Sequence, residues 1–164
     1  MRRADKESTD PRAILDVLGR GEVLRLAMIA EDGSPYVVPL SYVAVPGRSP
    51  SALDGLRLWV HSALEGKKID ALRKDPRVCF EVTVDVAVVP AARACDVSVR
   101  FRSVIGTGRA AFLSDPAAKL RALEAIGERF APGAPVSGPD VARVAVIEIA
   151  VESLSCKVSP APRR

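Results

Sequence analysis

The window from His61 to Val82, HSALEGKKIDALRKDPRVCFEV, holds the densest set of residues able to do chemistry. Ser62 and Glu65 form an S-x-x-E capping pattern, which predicts a helix from Ser62 to Lys74 whose first turn carries Gly66, Lys67 and Lys68. A helix start offers unpaired N–H groups and the positive end of the macrodipole, and two lysines add full charges, so a phosphate is well held there. Gly66 leaves room for close approach. Lysines at a helix N-terminus are unfavourable unless an anion offsets their repulsion. The window fits a capped helix with a solvated basic face equally well, and its spacing does not choose between the two readings.

Other arrangements exclude more than they support. His61 is the only histidine, which removes any site needing two, and leaves this one either a structural role at a strand end or a role in proton transfer. Cys79, Cys95 and Cys156 are an odd number and too scattered for a metal cage or a disulfide framework, so a reducing compartment is expected. No G-x-S-x-G nucleophile elbow occurs. Gly106-Thr107-Gly108-Arg109-Ala110-Ala111 fits the relaxed dinucleotide pattern, but it lies within an apolar strand run and predicts a bulge or bend instead. The apolar tract Val86 to Ala92 is interrupted by Pro90 and is expected to pack against the barrel or a partner subunit.

These residues need elements to position them. Asp10-Pro11 opens a short helix carrying Ile14, Leu15, Val17 and Leu18, which stops at Gly19 and Gly21. Val23 to Ala30 and Pro35 to Val43 read as two strands around an Asp-Gly turn, with Pro39 placing the second at an edge or bulge. After a Pro/Gly/Ser loop from Pro46 to Gly55, Leu56 to His61 alternates, with Arg57, Trp59 and His61 sharing one face. Asp75-Pro76 ends the next helix before a strand with Val78, Phe80, Val82 and Val84 on its apolar side. A strand from Arg100 to Leu113, a helix capped by Ser114-Asp115-Pro116, a loop from Ala131 to Pro139 and a strand from Val141 to Val151 complete the chain. The last strand is apolar on both faces except for Arg143 and Glu148. Hairpin-like spacing with three short helices predicts a mainly β protein, an antiparallel barrel closed or partly open, with helices at its ends.

The chain has 164 residues with 48% hydrophobic content, enough for one domain with a real core and too apolar for disorder. Residues 1–9 and 158–164 are expected as flexible tails. Against 20 acidic residues stand 24 basic ones, for a net charge of +4. From Gly66 to Arg77 there are five basic and two acidic residues, and from Lys157 to Arg164 three basic and none acidic, so the excess sits in one segment and one tail. That pattern suits a single phosphate rather than a nucleic acid. No run of about 18 apolar residues or leader pattern occurs, which predicts a cytoplasmic protein with no membrane partner.

Three segments in this order, EDGSPYVVPLSYV, then LWVHSALEGKKIDALRKDPRVCFEV, then RFRSVIGTGRAAFL, resemble the FMN-binding split-barrel superfamily of pyridoxamine-phosphate-oxidase-like proteins. Within it the chain is most similar to the 5-nitroimidazole-resistance branch. The resemblance implies a split β-barrel and a homodimer with FMN at the subunit interface. Tyr36 to Ser41 match the strand whose backbone runs along the flavin, with Val38, Pro39, Leu40 and Ser41 as contacts. His61 and Ser62 match the strand-end pair beside the cofactor, and Gly66, Lys67 and Lys68 the phosphate grip. The oxidases carry Arg where this chain has Lys67, which binds as a point charge rather than a fork. Ser103 matches a polar flavin contact flanked by Arg102 and Val104, and Lys157 matches the Lys of a Gly-Lys ending in which Cys156 replaces the Gly. The Arg-x-His pattern that holds pyridoxine phosphate in the oxidases is missing, so vitamin-B6 oxidation is not implied.

The function that follows from this resemblance is FMN-dependent transfer of hydride or electrons to a small organic acceptor such as a nitroaromatic or quinone, with His61 delivering a proton. The alternative is a non-catalytic protein of the same fold that binds or senses a flavin, deazaflavin or haem, with His61 as an axial ligand in the last case.

Overall fold

The computed structural model describes residues 6–47 and 53–158. The first helix, α1 (Pro11–Arg20), opens as its sequence dictates: Asp10 is the N-cap and its carboxylate accepts the Arg12 N–H at 2.9 Å. Ile14, Val17 and Leu18 lie on one stripe and are buried. The strands β2 (Leu24–Ile29) and β3 (Pro35–Leu40) pair antiparallel around the Asp-Gly turn, where Gly33 takes φ 83°. The second run of the hairpin is shorter than its sequence suggests. It breaks at Ser41, and Tyr42–Val45 forms a separate strand, β4, paired with β5 (Arg57–Ser62).

Helix α2 (Lys67–Lys74) leads into β6 (Arg77–Val89), β7 (Ser98–Phe112), α3 (Pro116–Phe130), α4 (Gly138–Arg143) and β8 (Ala145–Val158). A two-residue strand, β1 (Glu7–Ser8), pairs with Lys157 and Cys156 of β8. Within the N-terminal segment expected as a tail, this pairing ties Glu7 and Ser8 to the far end of β8. Val158, the first residue of the expected C-terminal tail, ends β8 opposite Arg102, while residues 1–5 and 159–164 lie outside the described residues, as does part of the loop expected from Pro46 to Gly55.

The sheet runs β3-β2-β6-β7-β8-β5-β4, every neighbouring pair antiparallel. Its two end strands, β3 and β4, are consecutive in the chain and joined through Ser41, so the sheet curls round to meet itself without a ladder across the gap. That is a split β-barrel, the architecture the sequence implies. Inward-facing Leu26, Leu58, Val60, Phe80, Ile147 and Ile149 fill it, and α1 and α2 close it with Val17, Leu18 and Ile69.

Two further expectations need correction. Residues Val141 to Arg143 belong to α4 rather than to the last strand, because the Asp140 carboxylate accepts from the Ser137 N–H at 2.8 Å and makes a helix start there. The tract Val86 to Ala92 does not pack against the barrel, the first of the two surfaces expected for it; the second, a partner subunit, lies outside a single chain. Instead β6 continues into an arm on which Val86 and Val88 are 65% and 68% exposed.

The Gly-x-Gly pair behaves as the strand context requires. A Cβ at Gly106 would lie 2.3 Å from Phe80 Cζ, and one at Gly108 2.3 Å from the Ala150 carbonyl oxygen. The β7–β8 register shifts between Thr107 and Gly108, which makes this a bulge and not a nucleotide loop.

Candidate functional site

Strand pairing decides where α2 begins. Ser62 remains in β5, opposite Ala145 of β8, so the S-x-x-E pattern forms no cap. The helix starts four residues later than its best local signal, with Gly66 as N-cap at φ 118° and no side chain bonded to the cap. The Ile69 and Asp70 N–H groups both reach the Gly66 carbonyl, at 2.8 and 3.1 Å. The N–H groups of Lys67 and Lys68 precede those bonds and point out of the helix start. A Cβ added at Gly66 would meet nothing within 4 Å, so the approach to this end is open.

The two lysines sit differently. Lys67 is exposed, with its ammonium 4.9 Å from the centre of the Tyr36 ring on β3. Lys68 is half-buried, and desolvation moves its pKa below the ordinary 10.5. His61, at the end of β5, is reached by solvent yet desolvated by its neighbours. That desolvation, followed by the Lys68 charge, pushes its pKa below 6.5. The imidazole is therefore neutral at pH 7. Asp32, in the β2–β3 turn, is held below the ordinary carboxylate value by the Ser34 hydroxyl and N–H, and to a lesser degree by Lys67. Tyr36, His61, Lys67 and Lys68 thus form one neighbourhood drawn from β3, β5 and α2.

On β3, Tyr36, Val38 and Leu40 are half-buried against the core, while Val37 and Pro39 face outward. Ser41 is exposed at the break. Because β3 ends the sheet path, its outer edge carries backbone groups with no strand partner among the described residues, and Pro39 presents no N–H there.

Ser103, Arg102, Val104 and Lys157 lie elsewhere. Ser103 is 6% exposed and opposite both Thr83 and Lys157. The Lys157 ammonium is 4.9 Å from the centre of the Phe101 ring. Val104 is wholly buried in the barrel. The Arg102 guanidinium is held by Asp85 and Asp16, each at 2.7 Å. Along β8, Ser62 pairs with Ala145 and Ser103 with Lys157, so twelve positions separate the two groups. At ~3.3 Å per residue that is about 40 Å of strand. One chain therefore does not gather the two halves into a single pocket. Nothing local in the sequence marks the Asp16 and Asp85 partners of Arg102, which stand 86 and 17 residues from it in the chain.

Among the described residues no helix is long and apolar enough to cross a membrane. The fold has solved counterparts. A candidate 5-nitroimidazole antibiotic resistance protein from Bacteroides thetaiotaomicron is 25% identical, with TM-score 0.77 over 93% of this chain and 86% of that one. A flavocytochrome from Azotobacter vinelandii is 24% identical, with TM-score 0.82 over 99% of this chain and 73% of that one. The FAD- and heme-binding protein from Mycobacterium smegmatis is 23% identical, with TM-score 0.80 over 95% and 74%. The last two speak to the fold alone. Curated proteins give no match. Residues 10–158 match the family described as pyridoxamine 5'-phosphate oxidase, and with nearly its whole length covered this chain belongs to that family.

Proposed function

We propose that the protein binds FMN and acts as a flavin-dependent oxidoreductase on a small organic acceptor. The observation that carries this reading is the start of α2: an uncapped N-terminus at Gly66, open to approach, with Lys67 and Lys68 in its first turn. A phosphate dianion supplies the charge that these lysines and the helix dipole otherwise lack. The free edge of β3, from Val38 to Ser41, offers backbone hydrogen bonds to the rest of the cofactor. When bound, FMN supplies hydride or electron transfer. His61, neutral at pH 7, holds or accepts a proton at the end of β5.

The reading includes a homodimer. Ser103 and Lys157 flank Phe101, Val99 and Ile105 on the outer face of β7 and β8, and Val99 and Ile105 are 42% and 47% exposed. A second copy seated there buries these residues and brings its own α2 region to Ser103 and Lys157. The acceptor class, nitroaromatic or quinone, belongs to the same proposal and rests on the likeness to the resistance protein.

The visible spectrum of the purified chain, before and after incubation with FMN, tests the cofactor. A bound flavin spectrum that disappears in Lys67→Ala/Lys68→Ala supports the reading, and a colourless chain that takes up no FMN overturns it. A Soret band instead supports haem binding through His61, a second reading favoured by the neutral state of that imidazole.

A further inference from the structure

At the end of α2 opposite Gly66, the outer faces of β2, β6 and β7 border a groove of about 460 Å³, within the range of roughly 300–1,000 Å³ that small-molecule sites occupy. Ala27, Ile29 and Pro35 make its walls apolar, and Arg109 and Glu152 place two opposite charges in it. The bulge puts Glu152 there: Thr107 faces Ser153 and Gly108 faces Val151, so Glu152 is the extra residue of β8.

Of the other polar side chains in the groove, Cys79 is an exposed free thiol, and two more are engaged. Arg77 is held by Asp75 at 2.6 Å, and the Thr107 hydroxyl meets that of Ser153 at 2.6 Å. Arg109 and Glu152 differ. Neither makes a hydrogen bond or ion pair with the other or with another described residue, and Arg109 reaches Asp75 only through its charge. Two charges of opposite sign with no hydrogen-bonded partner among the described residues, beside an apolar wall, complement a ligand that carries both signs and an apolar body. A purely anionic ligand would meet Glu152, and a purely cationic one Arg109.

We infer that this groove binds a small zwitterion with an apolar body, the class of an aromatic amino acid, its carboxylate on Arg109 and its ammonium on Glu152. The groove is separate from the start of α2 at Gly66 and Lys67, and its occupation does not depend on flavin binding.

L-tryptophan, N-acetyl-L-tryptophan and tryptamine, titrated into the full chain while the Ala27 and Ile29 methyl NMR signals are followed, test this. Saturable shifts are expected with L-tryptophan, and weaker binding by about tenfold with each singly charged analogue. Arg109→Gln and Glu152→Gln should each weaken L-tryptophan by a similar factor, with the methyl spectrum reporting an intact fold. Lys67→Ala should leave it unchanged. The inference is overturned if no compound moves these signals at millimolar concentration, or if all three bind alike. Should a variant not fold, the three ligands on the unaltered chain decide the matter alone.

Discussion

Asp85 adopts φ 57° and accepts a hydrogen bond from Arg102 Nε at 2.7 Å. Its second oxygen accepts from Arg20 Nη2 at 2.5 Å, and Arg102 also reaches Asp16 at 2.7 Å. Four charged side chains from α1, β6 and β7 therefore surround the irregularity between Val84 and Ala87, where β6 enters its valine-rich arm.

Asp85→Gly and Asp85→Ala both remove the carboxylate, but only alanine keeps a Cβ in the left-handed region. Urea denaturation should therefore show a lower midpoint for Asp85→Ala than for Asp85→Gly. Equal midpoints would show that the backbone at this position carries no strain.

Acid should loosen this corner and the junction of α2 with β6. Arg20 first, and then Arg102, hold the Asp85 carboxyl below its ordinary 3.8, and the Arg77 side chain and N–H bring Asp75 down to about 2. The unfolded chain thus binds these protons at higher pH than the folded one. Their contribution to stability is complete above pH 3.8 and is lost as pH falls through the folded values. Carboxyl NMR titration of Asp75 should give a midpoint near 2, and a midpoint near 3.8 would contradict the Arg77 contact.

His61, as the only histidine, gives a single ring signal to follow by NMR. Its midpoint should lie below 6.5, and Lys68→Ala should raise it only in part, since desolvation is the larger cause. The unfolded chain takes up this proton first as pH falls, so the His61 contribution to stability is intact above pH 6.5 and declines below it. A full return to 6.5 in Lys68→Ala would assign the shift to charge rather than to desolvation.

Gly66 combines φ 118° with ψ 167°, a region open almost only to glycine, and has free space where a Cβ would go. Gly66→Ala should cost about 1–3 kcal/mol through backbone strain alone. Thermal denaturation measures it, and an unchanged melting temperature would mean that the helix starts elsewhere.

Much of the fold is legible in local sequence because its cause is local. Asp10-Pro11 and Asp115-Pro116 cap helices by reaching N–H groups a few residues away. Asp32-Gly33 supplies the turn between β2 and β3, and the alternation of Leu58 and Val60 with Trp59 and His61 fixes which face of β5 is buried. The lysine pair at the start of α2 is visible for the same reason.

The decisive features of the candidate site depend on residues distant in the chain. Ser62 has a capping partner in Glu65, yet its backbone goes to Ala145, because a ladder shared with β8 satisfies more of the strand than one cap does. That choice moves the N-cap to Gly66 and leaves the helix start open. Arg102 looks free to contact a ligand until Asp16 and Asp85 are placed around it. Caps, turns, the buried faces and the basic pair are short-range pieces that can be read from neighbouring residues. That His61, Lys67, Lys68 and Tyr36 come together while Ser103 and Lys157 stand at the far end of β8 is a product of the folded barrel, because strand register is set by pairing across the whole of it and not by neighbours in the chain.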